Sequence, residues 1–168
     1  MNMSKELWKI RPATASDIEV LVALRAHLLD GTSTASYASR TPEERLSWKA
    51  AYRGWLESVL ACGERVRIVV TERDNEVVAC ATGLIYPRPP APDCLSGWYG
   101  WVQSVVVSKP CRRQGIAEQL MHDLLQWFAD RGVTKVQLET TPVAGALYRK
   151  LGFVRSAEGL LSLSGDRP

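Results

Sequence analysis

Little in this chain suggests a metal site, a membrane segment or a nucleic-acid surface. Cys62, Cys80, Cys94 and Cys111 form no C-x-x-C pair, and only His27 and His122 are available beside them. Zinc-ligand spacing is therefore missing, and no metal is expected. Scattered cysteines of this kind read as free thiols in a reducing cytoplasm. No apolar run approaches the roughly 20 residues that span a bilayer, and Met1–Lys9 has no apolar core followed by a small-residue cleavage site. The expectation is a cytoplasmic protein that engages no membrane. The net charge of +3 is mild and its basic residues are scattered apart from Arg112-Arg113, so no nucleic-acid partner is expected. No Lys-Ser or Lys-Thr follows Gly115, which excludes a P-loop. Each histidine falls on a helical pattern with no Asp or Ser paired to it, and a surface or structural role is expected.

What is present fits one globular domain, residues 1–168. Hydrophobic residues make up 46% and charged residues 23%, enough apolar material for a real core. Trp8–Arg11 reads as a short strand ended by Pro12. Thr14 and Asp17 stand three apart as in a capping box, and Ile18, Leu21, Val22, Leu28 and Leu29 recur at helical spacing. Gly31–Thr41, rich in Ser and Thr, reads as a loop. Pro42 opens a second helix carrying Trp48, Tyr52, Trp55 and Leu56. Val66–Thr71 and Glu76–Tyr86 read as strands joined through Arg73, Asp74 and Asn75. Trp98–Val107 is a further strand, Gly115–Arg131 a helix, Lys135–Thr140 a strand and Ala144–Leu151 a short helix. Phe153–Arg155 and Leu160–Leu163 complete the reading as closing strands. The order predicts a mixed α/β sheet of about six or seven strands flanked by about four helices.

The most informative stretch is Val105-Val106-Val107-Ser108-Lys109-Pro110-Cys111-Arg112-Arg113-Gln114-Gly115-Ile116-Ala117. A β-branched run enters a basic turn, and Gly115 then opens a helix whose apolar positions are Ile116, Leu120, Leu124 and Phe128. A helix N-terminus presents unpaired N–H groups and a favourable dipole to an anion. Two readings stand: an ordinary strand–loop–helix connection, or a phosphate cradle.

Two segments carry a family likeness. Arg112-Arg113-Gln114-Gly115-Ile116-Ala117 resembles the R/Q-x-x-G-x-G/A signature of the GNAT superfamily of acyl-CoA-dependent N-acetyltransferases. Ala146-Leu147-Tyr148-Arg149-Lys150-Leu151-Gly152-Phe153 is similar to that family's Ala-x-x-Tyr-x-x-x-Gly-Phe segment, with Ala closer to Tyr. The resemblance implies a GNAT-like sheet with a splayed central pair, Trp98–Val107 and Lys135–Thr140. It implies acetyl-CoA as the acyl donor. The pyrophosphate would rest on N–H groups from Arg113 to Ala117, helped by Arg112, Arg113 and Gln114. The pantetheine arm would lie along Val105, Val106 and Val107. Gly115 suits a close backbone approach, and Ala117 is nearly as small.

By the same resemblance, Tyr148 occupies the general-acid position, and a backbone N–H near Val105 would hold the oxyanion. Packing as an ordinary aromatic is the other reading of Tyr148. Some members place a Glu early on the central strand as base, where Trp101 and Gln103 stand here. Glu139 is the nearest titratable alternative in the motif region, and it also reads as a surface carboxylate; a water relay would serve instead. Thr141 replaces the Asn that many members carry before the Tyr helix. Cys111 reads as an incidental thiol, since the family transfers directly.

The implied reaction is transfer of an acetyl or other acyl group to a primary amine of a small molecule or peptide. The acceptor is expected near Gly31–Thr41, the second helix and the start of the central strand, where Trp98, Tyr99, Trp101, Trp48, Tyr52 and Trp55 offer aromatic faces. Asp30, Glu43 and Glu44 either attract a cationic amine or cap and solvate helices. The rivals are a catalytically silent acyl-CoA binder, a protein N-terminal or lysine acetyltransferase, and an interaction module using the aromatics. Pairing into a homodimer through the closing strands is left open.

Overall fold

The computed structural model describes residues 8–31, 33 and 35–163. The N-terminal reading of Met1–Leu7 and the ends of the proposed domain lie outside them, as do Thr32 and Thr34 of the Ser/Thr-rich loop.

The sheet grows from local signals. Strands β2 (Val66–Arg73) and β3 (Glu76–Pro87) pair antiparallel. The reversal between them is left-handed at Asp74 (φ 51°) and Asn75 (φ 65°), the conformation a two-residue hairpin turn needs and these short polar residues tolerate. Strand β1 (Lys9–Pro12) pairs with β2 as an edge strand, a place where proline costs no ladder bond. Strand β4 (Trp98–Val107) pairs antiparallel with β3, and β5 (Lys135–Leu138) pairs parallel with β4. The order is β1-β2-β3-β4-β5, and the parallel step is made by the crossover helix α3 (Ile116–Asp130).

Two apolar layers cover the sheet. On one face α3 buries Ile116, Leu120, Met121, Leu124, Trp127 and Phe128 against Val69, Ala79, Ala81 and Val102. Gly100 leaves room for the Phe128 ring, which would stand 2.8 Å from a Cβ there. Arg67 of β2 fastens this layer by pairing with Asp123 of α3 through Nε and Nη2, at 2.6 and 3.0 Å. On the other face α1 (Ile18–Leu29) and α2 (Pro42–Cys62) bury Leu21, Leu24, Tyr52 and Leu56 against Ile68, Val70, Cys80 and Val106. The predicted Thr14–Asp17 box forms in the 3-10 turn Ala15–Asp17 that leads into α1, where Thr14 N–H donates to Asp17 at 2.7 Å, and at the start of α2 Thr41 exchanges bonds with Glu44 at 3.2 Å. The short helix α4 (Gly145–Lys150) lies on the α3 side.

The mixed sheet and four α-helices agree with expectation, but the strand count is five among the described residues. Phe153–Arg155 and Leu160–Leu163 are not strands. Phe153 turns into the core beside Tyr148, while Val154, Leu161 and Leu163 are 89%, 95% and 99% exposed. These apolar residues have no neighbouring strand to pair with among the described residues, and β propensity alone does not make one. Strand β5 also stops at Leu138 rather than Thr140. No helix among the described residues is long and apolar enough to cross a membrane.

Candidate functional site

The site begins where the sheet comes apart. Strands β4 and β5 are paired from Tyr99↔Lys135 to Val102↔Leu138 and no further. Strand β4 runs on through Gln103–Val107 with no partner on its β5 side among the described residues. In the same stretch β4 carries an extra residue. Cys80 pairs with Val106 and Thr82 with Gln103, so Ser104 and Val105 together face Ala81. Ser104 is left-handed, with φ 56°, and its carbonyl accepts a long bond from the Cys80 thiol at 3.8 Å. A bulge of this kind flips the alternation of side chains. Before it Val102 faces α3; after it Val105 and Val107 do, and Val106 faces α1 and α2.

Directly after β4 comes the basic loop. A one-turn 3-10 segment, Lys109–Cys111, drops the Cys111 side chain into the core. Arg112 Nε donates to the Val107 carbonyl at 3.0 Å and Gln114 Nε2 to the Pro110 carbonyl at 3.2 Å. These two residues brace the loop rather than reach outward. Arg113 (φ 61°) and Gly115 (φ 80°) are both left-handed. Gly115 is the residue before α3 and has no side-chain cap on it, so the first N–H groups of α3 are free of side-chain acceptors. A Cβ at Gly115 would meet nothing within 4 Å: glycine is required by φ, and the space in front is open. A free helix start, open space and an exposed Arg113 suit a phosphate.

Tyr148 sits across from this loop on α4, 8% exposed, in the same cluster as Cys111 and Ile116. Phe153 meets its ring edge-on at 5.9 Å, and Phe153 N–H donates to the Tyr148 carbonyl at 2.9 Å. Burial raises the phenol above its ordinary range, so it is protonated at neutral pH. Glu139 is exposed and lies one residue beyond β5. His27 and His122 are exposed, and no metal-ligating group of side chains occurs among the described residues.

On the opposite face of β4 a cleft of about 380 Å³ opens between α1, α2 and the bulge. Trp48, Tyr52 and Trp55 form its wall, Arg25 enters from α1, and Thr82, Gln103 and Ser104 form its floor. Tyr52 and Trp55 stack at 5.8 Å and 18°. The expected aromatic group is therefore divided. Trp98, Tyr99 and Trp101 do not line the cleft; Tyr99 meets Tyr86 at 6.0 Å, and the Arg65 guanidinium covers Trp98 at 4.2 Å. Of the acids considered for attracting an amine, Asp30 accepts from Trp48 Nε1 (2.9 Å), Ser39 (2.6 Å) and Lys49 (2.9 Å). Glu44 is occupied in the α2 cap. Arg25 is the residue that pattern reading missed. Its signal was a charge inside an apolar helical stripe, four residues after Leu21 and three after Val22.

A family model for the GNAT acetyltransferases matches residues 28–153. The chain belongs to the GNAT family. This GNAT chain is 30% identical over 105 residues to glucosamine 6-phosphate N-acetyltransferase 1 of Oryza sativa subsp. japonica, covering 62% of each protein. It thus spans less than two thirds of that relative's length. Among solved structures, a GCN5-related N-acetyltransferase from Ralstonia eutropha JMP134 superposes with TM-score 0.79 at 23% identity, over 95% of this chain and 100% of that one. A Clostridium acetobutylicum protein described as a predicted acetyltransferase and solved with acetyl-CoA gives TM-score 0.77 at 19% identity, over 94% and 96%. These likenesses show that the GNAT fold extends over nearly the whole chain.

Proposed function

We propose that this protein is an acetyl-CoA-dependent N-acetyltransferase that acts on a primary amine of a small molecule or peptide. The observation that carries the reading is the parting of β4 from β5 beside the uncapped start of α3. Unpaired strand backbone is followed directly by a helix end suited to phosphate, the two features an extended thioester ending in a pyrophosphate needs. Val105–Val107 would pair with the pantetheine amides, and N–H groups from Arg113 to Ala117 would hold the pyrophosphate, with Arg113 adding charge. Relatives of this fold that carry acetyl-CoA support the donor. Four free cysteines suit a reducing cytoplasm.

The chemistry is attack of a neutral amine on the thioester carbonyl, through a tetrahedral oxyanion, with loss of a thiolate. The oxyanion would be met by a backbone N–H near Val105, where the bulge turns the strand. Tyr148 serves the leaving sulfur. A phenol near 10 against a thiol near 8.5 makes full proton transfer uphill by about 2 kcal/mol, and the burial of Tyr148 adds to that. Tyr148 therefore acts by hydrogen-bonding the developing thiolate. No cleft-lining residue is a carboxylate or histidine. Glu139 is exposed, so it would take the amine proton through water.

The test is thiol release from acetyl-CoA over a panel of amino acids, amino sugars, polyamines and peptide N-termini. Acceptor-dependent release is expected for one class. Tight acetyl-CoA binding with no release from any of them would reduce the protein to a silent binder.

A further inference from the structure

The cleft floor lies on the bulge of β4, so a molecule seated there meets the same strand segment as the acyl donor. Taking that cleft as the acceptor site, and so resting on the function proposed above, we infer that the acceptor is a primary amine bearing its own anionic group, a carboxylate or a phosphate, on a flat apolar body, and that Arg25 selects it.

Three observations converge. First, Arg25 alone among the residues lining the cleft is charged. Second, two of the acids that would have welcomed a polycation are spent, and the third, Glu43, does not line the cleft. Asp30 braces the Trp48 indole while bound to Lys49 and Ser39, and Glu44 closes the α2 cap. Arg25 itself makes no ion pair among the described residues. Third, the Arg25 guanidinium lies 4.4 Å from the Tyr52 ring centroid. Beside this ring and the Tyr52 hydroxyl, a guanidinium with five N–H donors still has donors left for a planar or tetrahedral anion.

The rest of the cleft fits such a body. The stacked Tyr52 and Trp55 rings give a flat wall, and Thr82, Gln103 and Ser104 give the floor polar side chains. A polyamine would set several positive charges against Arg25 with no carboxylate to offset them, and such opposition rejects a ligand as effectively as new contacts attract one.

The test uses amines that differ in the anionic group alone: tryptophan against tryptamine for a carboxylate, and pyridoxamine 5′-phosphate against pyridoxamine for a phosphate. Acetylation is read as thiol release from acetyl-CoA. Occupancy is read separately, as binding to protein saturated with CoA. In at least one pair the anionic member is expected to be favoured at least tenfold in kcat/KM or affinity, about 1.4 kcal/mol; which pair responds identifies the anion. Arg25→Gln should collapse that ratio to within about twofold, through KM rather than kcat, with acetyl-CoA affinity unchanged. Arg25→Lys, which keeps charge but not the fork, should retain part of the ratio.

A ratio near one in both pairs overturns the assignment, as does a ratio that survives Arg25→Gln. Should Arg25→Gln not fold, an undiminished ratio in Arg25→Lys overturns it equally. Anionic amines that bind through Arg25 without thiol release would sink acetyl transfer and leave the Arg25 assignment standing. Release with the decarboxylated and dephosphorylated amines alone would do the reverse.

Discussion

Gly115→Ala and Gly132→Ala make a matched pair that separates backbone strain from anion binding. Gly115 precedes α3 with φ 80°, and Gly132 follows the same helix with φ 71°. A Cβ at either position meets nothing within 4 Å, so sterics beyond the residue's own backbone contribute to neither. Each alanine should cost about 1–2 kcal/mol for occupying the left-handed region. At this chain length that is a fall of about 2–8 °C in Tm, similar for both variants. Only Gly115 supports the proposed cradle. If alanine relaxes toward negative φ there, the N–H groups of Ile116 and Ala117 swing away from the phosphate. Losing one hydrogen bond to a charged group costs about 1.5–3 kcal/mol, a roughly tenfold to hundredfold weaker Kd for acetyl-CoA. Melting curves and calorimetric titration of acetyl-CoA measure both. Equal Tm losses with near wild-type affinity in both variants would refute the cradle.

Tyr148→Phe should lower kcat about a hundredfold, the low end for a proton-donating side chain, with acetyl-CoA affinity little changed. Because burial raises the phenol's pKa, wild-type kcat should show no loss of an acid between pH 7 and 9; a descending limb in that range would contradict the assignment. Gly100→Ala would push a methyl into the Phe128 ring, 2.8 Å away, and should cost about 1–3 kcal/mol in urea unfolding, whereas an unmoved midpoint would show the layer to be loose. The Arg11 guanidinium, 2.7 Å away, holds Asp17 below the usual carboxylate range. A depressed folded-state pKa gives stability that is present above the ordinary aspartate value and lost as pH falls through the depressed one. Asp17→Asn should therefore be less stable at pH 7 by on the order of 2 kcal/mol, and unfolding followed from pH 7 to pH 2 should show the gap closing; a constant gap would remove Asp17 from the acid transition.

Much of the fold is written in short-range pattern. The Thr14–Asp17 box, the Pro42 start of α2, the Asp74-Asn75 turn and the α3 stripe each depend on residues within a turn of one another, and each appears where the spacing puts it. The loop from Arg112 to Gly115 is equally local, since a glycine before an apolar stripe marks a helix start. What escaped depends on partners far along the chain. Leu160–Leu163 is apolar enough to read as a strand, yet strand formation needs a neighbour, and none among the described residues receives it. The position of the bulge was not legible: no Gly or Pro interrupts Val102–Val107, and Ser104 gives no warning of φ 56°. That one residue also decides which side chains reach the cleft. The six aromatics looked like one group because the second helix and the start of the central strand were both expected beside the acceptor. The sheet has two faces, and it assigns Trp48, Tyr52 and Trp55 to one cavity and Trp98 and Tyr99 elsewhere.

The bulge has a further consequence for how β4 exchanges hydrogen with solvent. From Tyr99 to Val102 the strand is flanked by β3 and β5, whereas from Gln103 onward its amides on the β5 side have no ladder partner. Deuterium uptake should therefore split the amides of this ten-residue strand beyond Val102 into two kinetic populations, the β3-facing half slow and the β5-facing half fast. A molecule that docks as an extra strand would slow only the fast half, so exchange alone would trace its footprint on the backbone.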